Sequence, residues 1–167
     1  MKIGSRVIPL DYSRVVTFRE AVEEDEPFLL GVYTSTRLEE LALTNWDLSQ
    51  REAFVRMQFE AQQRHYRQHY PKGEHLIVLL NESPVGRLYI ANLETEIRVI
   101  DITILPEHRS AGIGTPIIQQ LMDEAKAVGK PLSIYVESFN PSRRLFERLG
   151  FVKTGEIGYS HLLEWRA

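Results

Sequence analysis

The stretch Arg109-Ser110-Ala111-Gly112-Ile113-Gly114-Thr115-Pro116 combines the residue types of an anion site. Bulk falls away at the two glycines, and an apolar helical pattern starts just beyond the proline. Thr115 stands where a helix N-cap belongs, and Pro116 fits a first helical position, where no N–H is needed. The other early N–H groups of a helix lack partners within it and point outward with the positive end of its dipole. An anion held there gains about 0.3–1 kcal/mol at an exposed site. Gly112 and Gly114 place no side chain in the way of a phosphate. Arg109 adds a fixed charge and paired donors. A tight strand-to-helix turn accounts for the same glycines without any ligand. Two nucleotide motifs are excluded. No lysine stands where a Walker loop requires one, and Ile117 occupies the place of the third glycine of a dinucleotide fingerprint.

The elements that must position this stretch follow from periodicity. Residues 15–20 alternate as a strand. Residues 23–41 read as one helix, capped by Asp25, with Phe28, Leu29, Val32 and Tyr33 on its buried stripe. A second helix opens at Ser49 with Glu52 as its capping-box partner and ends by Pro71. It carries Phe54, Met57 and Ala61 on one stripe and Val55, Phe59, Tyr66 and Tyr70 on another. Residues 75–80 form a continuous apolar run, the pattern of a strand covered on both faces. The turn "NESP" leads to a partner strand at 85–91, and a third strand follows at 96–105. A helix over 115–128 presents Ile117, Ile118, Leu121, Met122, Ala125 and Val128 on one face and stops at Gly129. A strand at 131–138, a short helix over 140–150 and a closing hairpin complete the chain. The order β-α-α-β-β-β-α-β-α-β-β is a mixed α/β layer on a central sheet. Residues 1–167 read as one domain, with 1–14 a loosely ordered N-terminal extension.

Composition narrows the class. The chain has 167 residues, 43% of them hydrophobic, enough for a full core. Twenty basic residues against 23 acidic ones give a net charge of −3, which supplies no sequence-independent attraction to nucleic acid. There is no cysteine, so a disulfide framework, a thiolate zinc site and a cysteine nucleophile are all excluded. Of the five histidines, His65 and His69 share an i, i+4 spacing with no third ligand indicated, so no metal is expected. No apolar run is long enough to span a membrane or form a signal peptide, and the expected compartment is the cytoplasm.

The segment "LPEHRSAGIGTPIIQQLMDEA", following an apolar strand, resembles motif A of the GNAT acetyltransferase superfamily, Arg/Gln-x-x-Gly-x-Gly/Ala. The later "VESFNPSRRLFERLGFVKTGE" is similar to motif B of that family. The resemblance covers residues 74–165, and the N-terminal part resembles the family in layout alone. It implies a GNAT-like, mostly antiparallel sheet flanked by helices, and acetyl-coenzyme A as cofactor. By that resemblance the N–H groups of Arg109, Ser110, Ala111, Gly112, Ile113, Gly114 and Thr115 hold the pyrophosphate. Ile102, Thr103 and Ile104 present backbone groups to the pantetheine arm and thioester. Asn140 meets the pantetheine, although an N-cap followed by Pro141 explains it as well.

Phe146, also expected at the cofactor, departs from the pattern. Many relatives carry a tyrosine there as general acid, and phenylalanine has no proton to give. Tyr135 and Tyr159 are the alternative hydroxyls. A neutral amine nucleophile calls for a base, and Asp101 and Glu137 are the candidates, with bulk water as the alternative. Strand alternation puts Asp101 on the same face as Thr103. Trp46, in the loop between the first helices, is a candidate for the acceptor pocket. The implied function is an N-acetyltransferase in which a primary amine, on a small molecule or a peptide, attacks acetyl-coenzyme A directly in a ternary complex. The alternative is a non-catalytic acyl-coenzyme A binding or regulatory module. Neither nucleic acid nor membrane is an expected partner, and the closing hairpin is the candidate contact for a homodimer.

Overall fold

The computed structural model describes residues 7–167. Its elements are β1 (Val7–Pro9), β2 (Val15–Glu20), α1 (Glu26–Ser35), α2 (Leu38–Ala42), α3 (Leu48–His69), β3 (Glu74–Leu80), β4 (Ser83–Asn92), β5 (Ile97–Ile104), α4 (Gly114–Ala127), β6 (Leu132–Glu137), α5 (Arg143–Arg148), β7 (Val152–Ile157) and β8 (Ser160–Trp165). The eight strands form one sheet in the order β1-β2-β3-β4-β5-β6-β8-β7. Every pairing is antiparallel except β5 with β6. This is the mixed, mostly antiparallel sheet expected, with one strand more.

That extra strand is β1, which pairs with β2 from Val7↔Thr17 to Pro9↔Val15. It falls within the segment expected to be a loose extension, of which residues 1–6 lie outside the described residues. The turn after it is built by Asp11, whose Oδ1 accepts from the N–H groups of Ser13 (2.9 Å) and Arg14 (2.8 Å). Arg14 then donates from Nη1 to the carbonyl of Ala111 at 2.7 Å. The start of the chain thus braces the glycine loop.

Several helix ends differ from the sequence expectation, each for a local reason. Residues 23–41 split, because Ser35 and Thr36 turn their hydroxyls onto the carbonyls of Val32 and Tyr33 where the helix ends. Asp25 does not cap: its carboxylate pairs with Arg19 and accepts from the Val22 N–H. Asp47 caps α3, with Gln50 as the reciprocal partner, in place of Ser49 and Glu52. The turn between β3 and β4 lies on Asn81 and Glu82, with φ of 46° and 70°, the signs of a two-residue hairpin turn. Pro84 belongs to β4.

The sheet buries both faces. α4 and α5 cover one, where Ile117, Ile118, Leu121 and Ala125 meet Leu88, Val99, Leu132 and Val136. α1–α3 cover the other, where Leu29, Tyr33, Val55 and Phe59 meet Ile77. The apolar run of β3 divides between them, Leu76 and Val78 to one core and Ile77 to the other. On α3 the buried stripe is Val55 and Phe59, and Met57 is exposed. On α4 Val128 lies past the helix end and is exposed, whereas Glu124 is buried.

Two positions in this sheet give measurable consequences. A Cβ on Gly86 would sit 2.3 Å from the carbonyl oxygen of Thr103, so β4 and β5 approach closely only because position 86 has no side chain. Gly86→Ala is expected to lower unfolding free energy by about 1–3 kcal/mol, read by urea denaturation. His75 stacks on Tyr89 at 4.7 Å, and burial, aided by the Arg87 charge, pushes its pKa down to about 3. The folded state therefore binds fewer protons than the unfolded chain between that value and the ordinary 6.5. Stability is complete above the upper value and is lost as pH falls toward the lower, by about 1.4 kcal/mol per pH unit for one proton. His75→Phe, which keeps the stack, is expected to remove one proton's share of that slope in denaturation at several pH values.

Candidate active site

The site begins where β5 and β6 part. Their pairing runs Ile97↔Leu132, Arg98↔Ser133, Val99↔Ile134 and ends there. On the other side of β5 the register shifts at the same place: Ile90 pairs with Val99 and Tyr89 with Asp101, leaving Ile100 as an extra residue. A bulge bends the strand that carries it and increases its twist. Beyond it residues 101–104 pair with β4 alone, and residues 135–137 pair with β8 alone. The facing edges of the two strands line a V-shaped gap.

Alternation sorts the side chains at this gap. Ile102, Ile104, Ile134 and Val136 pack toward α4. Asp101, Thr103, Tyr135 and Glu137 lie on the α3 side of the sheet. Thr103 donates from Oγ1 to Asp101 Oδ1 at 2.7 Å. The Asp101 side chain keeps 17% of its exposure, and Nε of Arg87 lies 3.6 Å from its Oδ2. Tyr135 is 37% exposed, with the guanidinium of Arg98 over its ring at 4.9 Å. Arg98 is itself held by Ser133 Oγ (2.7 Å) and by Glu96. Tyr159 lies in the β7–β8 turn and is exposed, and its carbonyl accepts from the N–H of Ser138 just past β6. Trp46 is half-exposed, edge-on to Phe54, in the loop before α3.

At the wide end of the gap lies the glycine loop. β5 runs into a 3-10 turn at Pro106–Ala111, Gly112 adopts a left-handed φ of 73°, and α4 starts at Gly114. Thr115 is therefore the second residue of the helix, not its cap, and Pro116 the third. Position 113 precedes the helix with its own dihedrals already helical, and no side chain caps the start. Among the described residues the N–H groups of Gly112, Ile113, Gly114 and Thr115 have no backbone partner. A Cβ on Gly112 or on Gly114 would meet nothing within 4 Å. The Ile113 side chain is buried and anchors the loop in the core. Arg109 and Ser110 are exposed, and Arg109 Nε donates to the Ile104 carbonyl at 3.1 Å. This is a donor set that fits a diphosphate: amides without partners, a helix start, an arginine and open space above two glycines.

Asn140 and Phe146, both expected at the cofactor, have partners within the protein. Asn140 Oδ1 accepts from the Ser142 N–H at 2.9 Å, so the side chain closes a turn two residues ahead of the position that precedes α5. Phe146 is turned into the core. It is 3% exposed and edge-on to Phe151 at 5.3 Å, because the one apolar face of a six-residue helix is drawn into the core.

The residues that sequence reasoning missed lie under Asp101. Arg87 is 1% exposed. Its Nη1 and Nη2 donate to Gln62 Oε1 (3.3 Å) and Gln63 Oε1 (3.0 Å) on α3. Its guanidinium lies 5.5 Å from the Tyr66 ring and 5.9 Å from the Tyr89 ring. Burial, then the Asp101 charge, pushes the Tyr66 phenol above its ordinary value, so it stays protonated. The signal was an arginine in the middle of the strand "VGRLYIA", where an apolar residue was due. The His65 and His69 rings lie 4.0 Å apart, tilted by 32°, on α3 and are exposed.

Residues 37–151, more than half of the chain, match the family model described as the acetyltransferase (GNAT) family. Among curated proteins no sequence matches the chain. Its fold is similar to that of the PaiA N-acetyltransferase from Thermoplasma acidophilum, solved in complex with coenzyme A, with TM-score 0.69, 15% identity and coverage of 91% of this chain and 99% of that one. An acetyltransferase from Thermus thermophilus is similar with TM-score 0.65 and 20% identity, covering 91% of this chain and 97% of its own. RimL, a ribosomal L7/L12 alpha-N-protein acetyltransferase, is similar with TM-score 0.63 and 15% identity, covering 97% of this chain and 94% of its own. Among the described residues no helix is long and apolar enough to cross a membrane. A split sheet that opens onto a bare helix start, and a matched stretch that contains both, lead to one statement: the chain belongs to the acetyltransferase (GNAT) family.

Proposed function

We propose that the protein binds acetyl-coenzyme A and transfers its acetyl group to a primary amine held on the α3 side of the sheet. The observation that carries this reading is the set of partnerless N–H groups at 112–115, set at the open end of the β5–β6 gap. In this reading those amides and Arg109 hold the diphosphate, and the backbone edge of residues 102–104 holds the arm. Bound there, the thioester supplies an activated acetyl group, which an amine nitrogen takes as the carbon–sulfur bond breaks. Asp101 accepts the proton that the amine must lose, directly or through a water. Tyr135, on the same face one residue beyond the last β5–β6 pair, returns a proton to the thiolate. Positioning the two reactants and aiming backbone N–H groups at the carbonyl supply most of the rate. Asp101 and Glu137 share the acceptor face, which favours an amine that carries positive charge.

Titration calorimetry with acetyl-coenzyme A tests binding, and absence of binding at high micromolar concentration ends the proposal. Gly114→Asp gives a sharper measurement. A carboxylate in the first turn suits the helix dipole, so the melting temperature is expected to hold or rise. The same carboxylate fills the nest with negative charge, and affinity for acetyl-coenzyme A is expected to fall by about tenfold or more.

A second reading, an acyl-coenzyme A binding module without turnover, draws on Phe146, which has no proton to donate. Thiol release from acetyl-coenzyme A across a panel of primary amines separates the two, since a binding module releases none. Phe146→Tyr refines the point. Because the ring is enclosed in the core, the new hydroxyl is expected to add no turnover and to cost about 1–3 kcal/mol of stability as an unpaired buried group.

A further inference from the structure

The wall between α3 and the sheet changes character along its length. Near the start of the helix it is apolar, with Val55 and Phe59 buried against Ile77. Two turns on, Gln62, Gln63 and Tyr66 meet Arg87 and Tyr89 of β4, and Arg87 in turn pairs with Asp101 of β5. An arginine with 1% exposure has no solvent to receive its charge, so its partners must. Both of its terminal nitrogens are taken by the two glutamines, and two tyrosine rings flank it. Its Nε makes no hydrogen bond, and among the described residues the carboxylate paired with it is Asp101. Asp101 is the one member of this pair that reaches the gap, with 17% side-chain exposure against 1% for Arg87.

We infer that Arg87 is a positioning residue for acetyl transfer: from beneath the sheet face it fixes the Asp101 carboxylate at the narrow end of the β5–β6 gap and ties it to the acceptor-side helix α3. Arg87 reaches neither the gap nor solvent, so it acts through Asp101. The second restraint on the carboxylate is the Thr103 hydroxyl at 2.7 Å, on the same strand. The hydroxyl takes Oδ1, the guanidinium stands 3.6 Å from Oδ2 with no hydrogen bond to it, and that second oxygen is left to face the amine. The glutamines give the arrangement its direction. A guanidinium held by paired side-chain oxygens of one helix cannot swing toward another carboxylate, and a lysine in its place would have no fork to be held by. This role rests on the acetyl transfer proposed above.

The test compares two nucleophiles. An alkylamine such as n-butylamine is protonated at neutral pH, like a lysine of pKa about 10.4, and needs a base. Hydroxylamine is already neutral at that pH, so no proton has to be removed before it attacks, and the one it sheds afterwards leaves an acidic intermediate nitrogen that water can deprotonate. Thiol release from acetyl-coenzyme A is followed with each, after subtraction of the uncatalysed rate. Asp101→Asn is expected to slow n-butylamine by about a hundredfold and hydroxylamine by only a few fold. Arg87→Met, which keeps length and apolar bulk, is expected to slow n-butylamine by about tenfold or more, with hydroxylamine nearly unchanged and the KM for acetyl-coenzyme A within about twofold. If Arg87→Met does not fold, Arg87→Lys carries the test, because it keeps the charge and loses the fork; the ratio of the two rates is expected to move in the same direction by about threefold or more. A variant that slows both nucleophiles equally, or neither, overturns the role. A wild-type protein that releases thiol with neither amine overturns the transfer reading itself, and with it this inference, before any variant is made.

Discussion

Hydrogen bonding between β5 and β6 lasts three residue pairs and stops at the residue before the bulge at Ile100, and the rest of the site is arranged around that stop. Parallel strands that stay paired offer a ligand nothing, because their N–H and C=O groups are used. Strands that part expose two facing edges while remaining fixed on their far sides, β5 by β4 and β6 by β8. The bulge bends one strand without breaking its other ladder. Gly86 allows the compensation on that ladder, since the carbonyl of Thr103 lies where a Cβ would be. A rigid sheet thus contains a gap that needs no motion to open.

The gap has two unlike sides. Toward α4 it is aliphatic, and Ile102, Ile104 and Val136 continue the main core to its lip. Toward α3 it carries carboxylates, a hydroxyl and a phenol above a buried arginine. A buried charge without its partner is destabilising by several kcal/mol, roughly 3–5 when a pair is broken, so a chain that keeps one spends stability on geometry. Among the described residues, three buried side-chain atoms with no hydrogen-bond partner, Gln58 Oε1, His75 Nε2 and Arg87 Nε, all belong to α3 or the strands beneath it. Polar groups left incompletely satisfied in this one layer, beside a well-packed aliphatic one, set the α3 side of the sheet apart.

The glycine loop is held from three directions, and none of its holds uses the amides that face outward. Ile113 sinks into the core, Arg109 closes back onto the carbonyl of Ile104, and Arg14 reaches the carbonyl of Ala111 from the turn after β1. A loop fixed through one carbonyl and two side chains keeps its N–H groups in place before any anion arrives, which reduces the ordering cost of binding. The N-terminal strand therefore contributes to the site without lining it.

What the sequence determined by itself was local. The glycine turn between β5 and α4, most of the apolar face of α4, the closing hairpin and the two-faced burial of β3 were legible, because each depends on residues a few positions apart: a loss of bulk between two apolar runs, a period of 3.6 or of 2. Helix starts were missed where two polar residues competed for one role, as Asp47 did against Ser49, since either can cap and only the surrounding backbone chooses. The tertiary structure alone decided which strand edges part, that Phe146 turns into the core, that Arg14 meets Ala111, and that Arg87 lies buried beneath Asp101. Each of these is a register or a packing choice between segments far apart in the chain. No local pattern encodes how far two strands stay paired, or which of several arginines will lose its water.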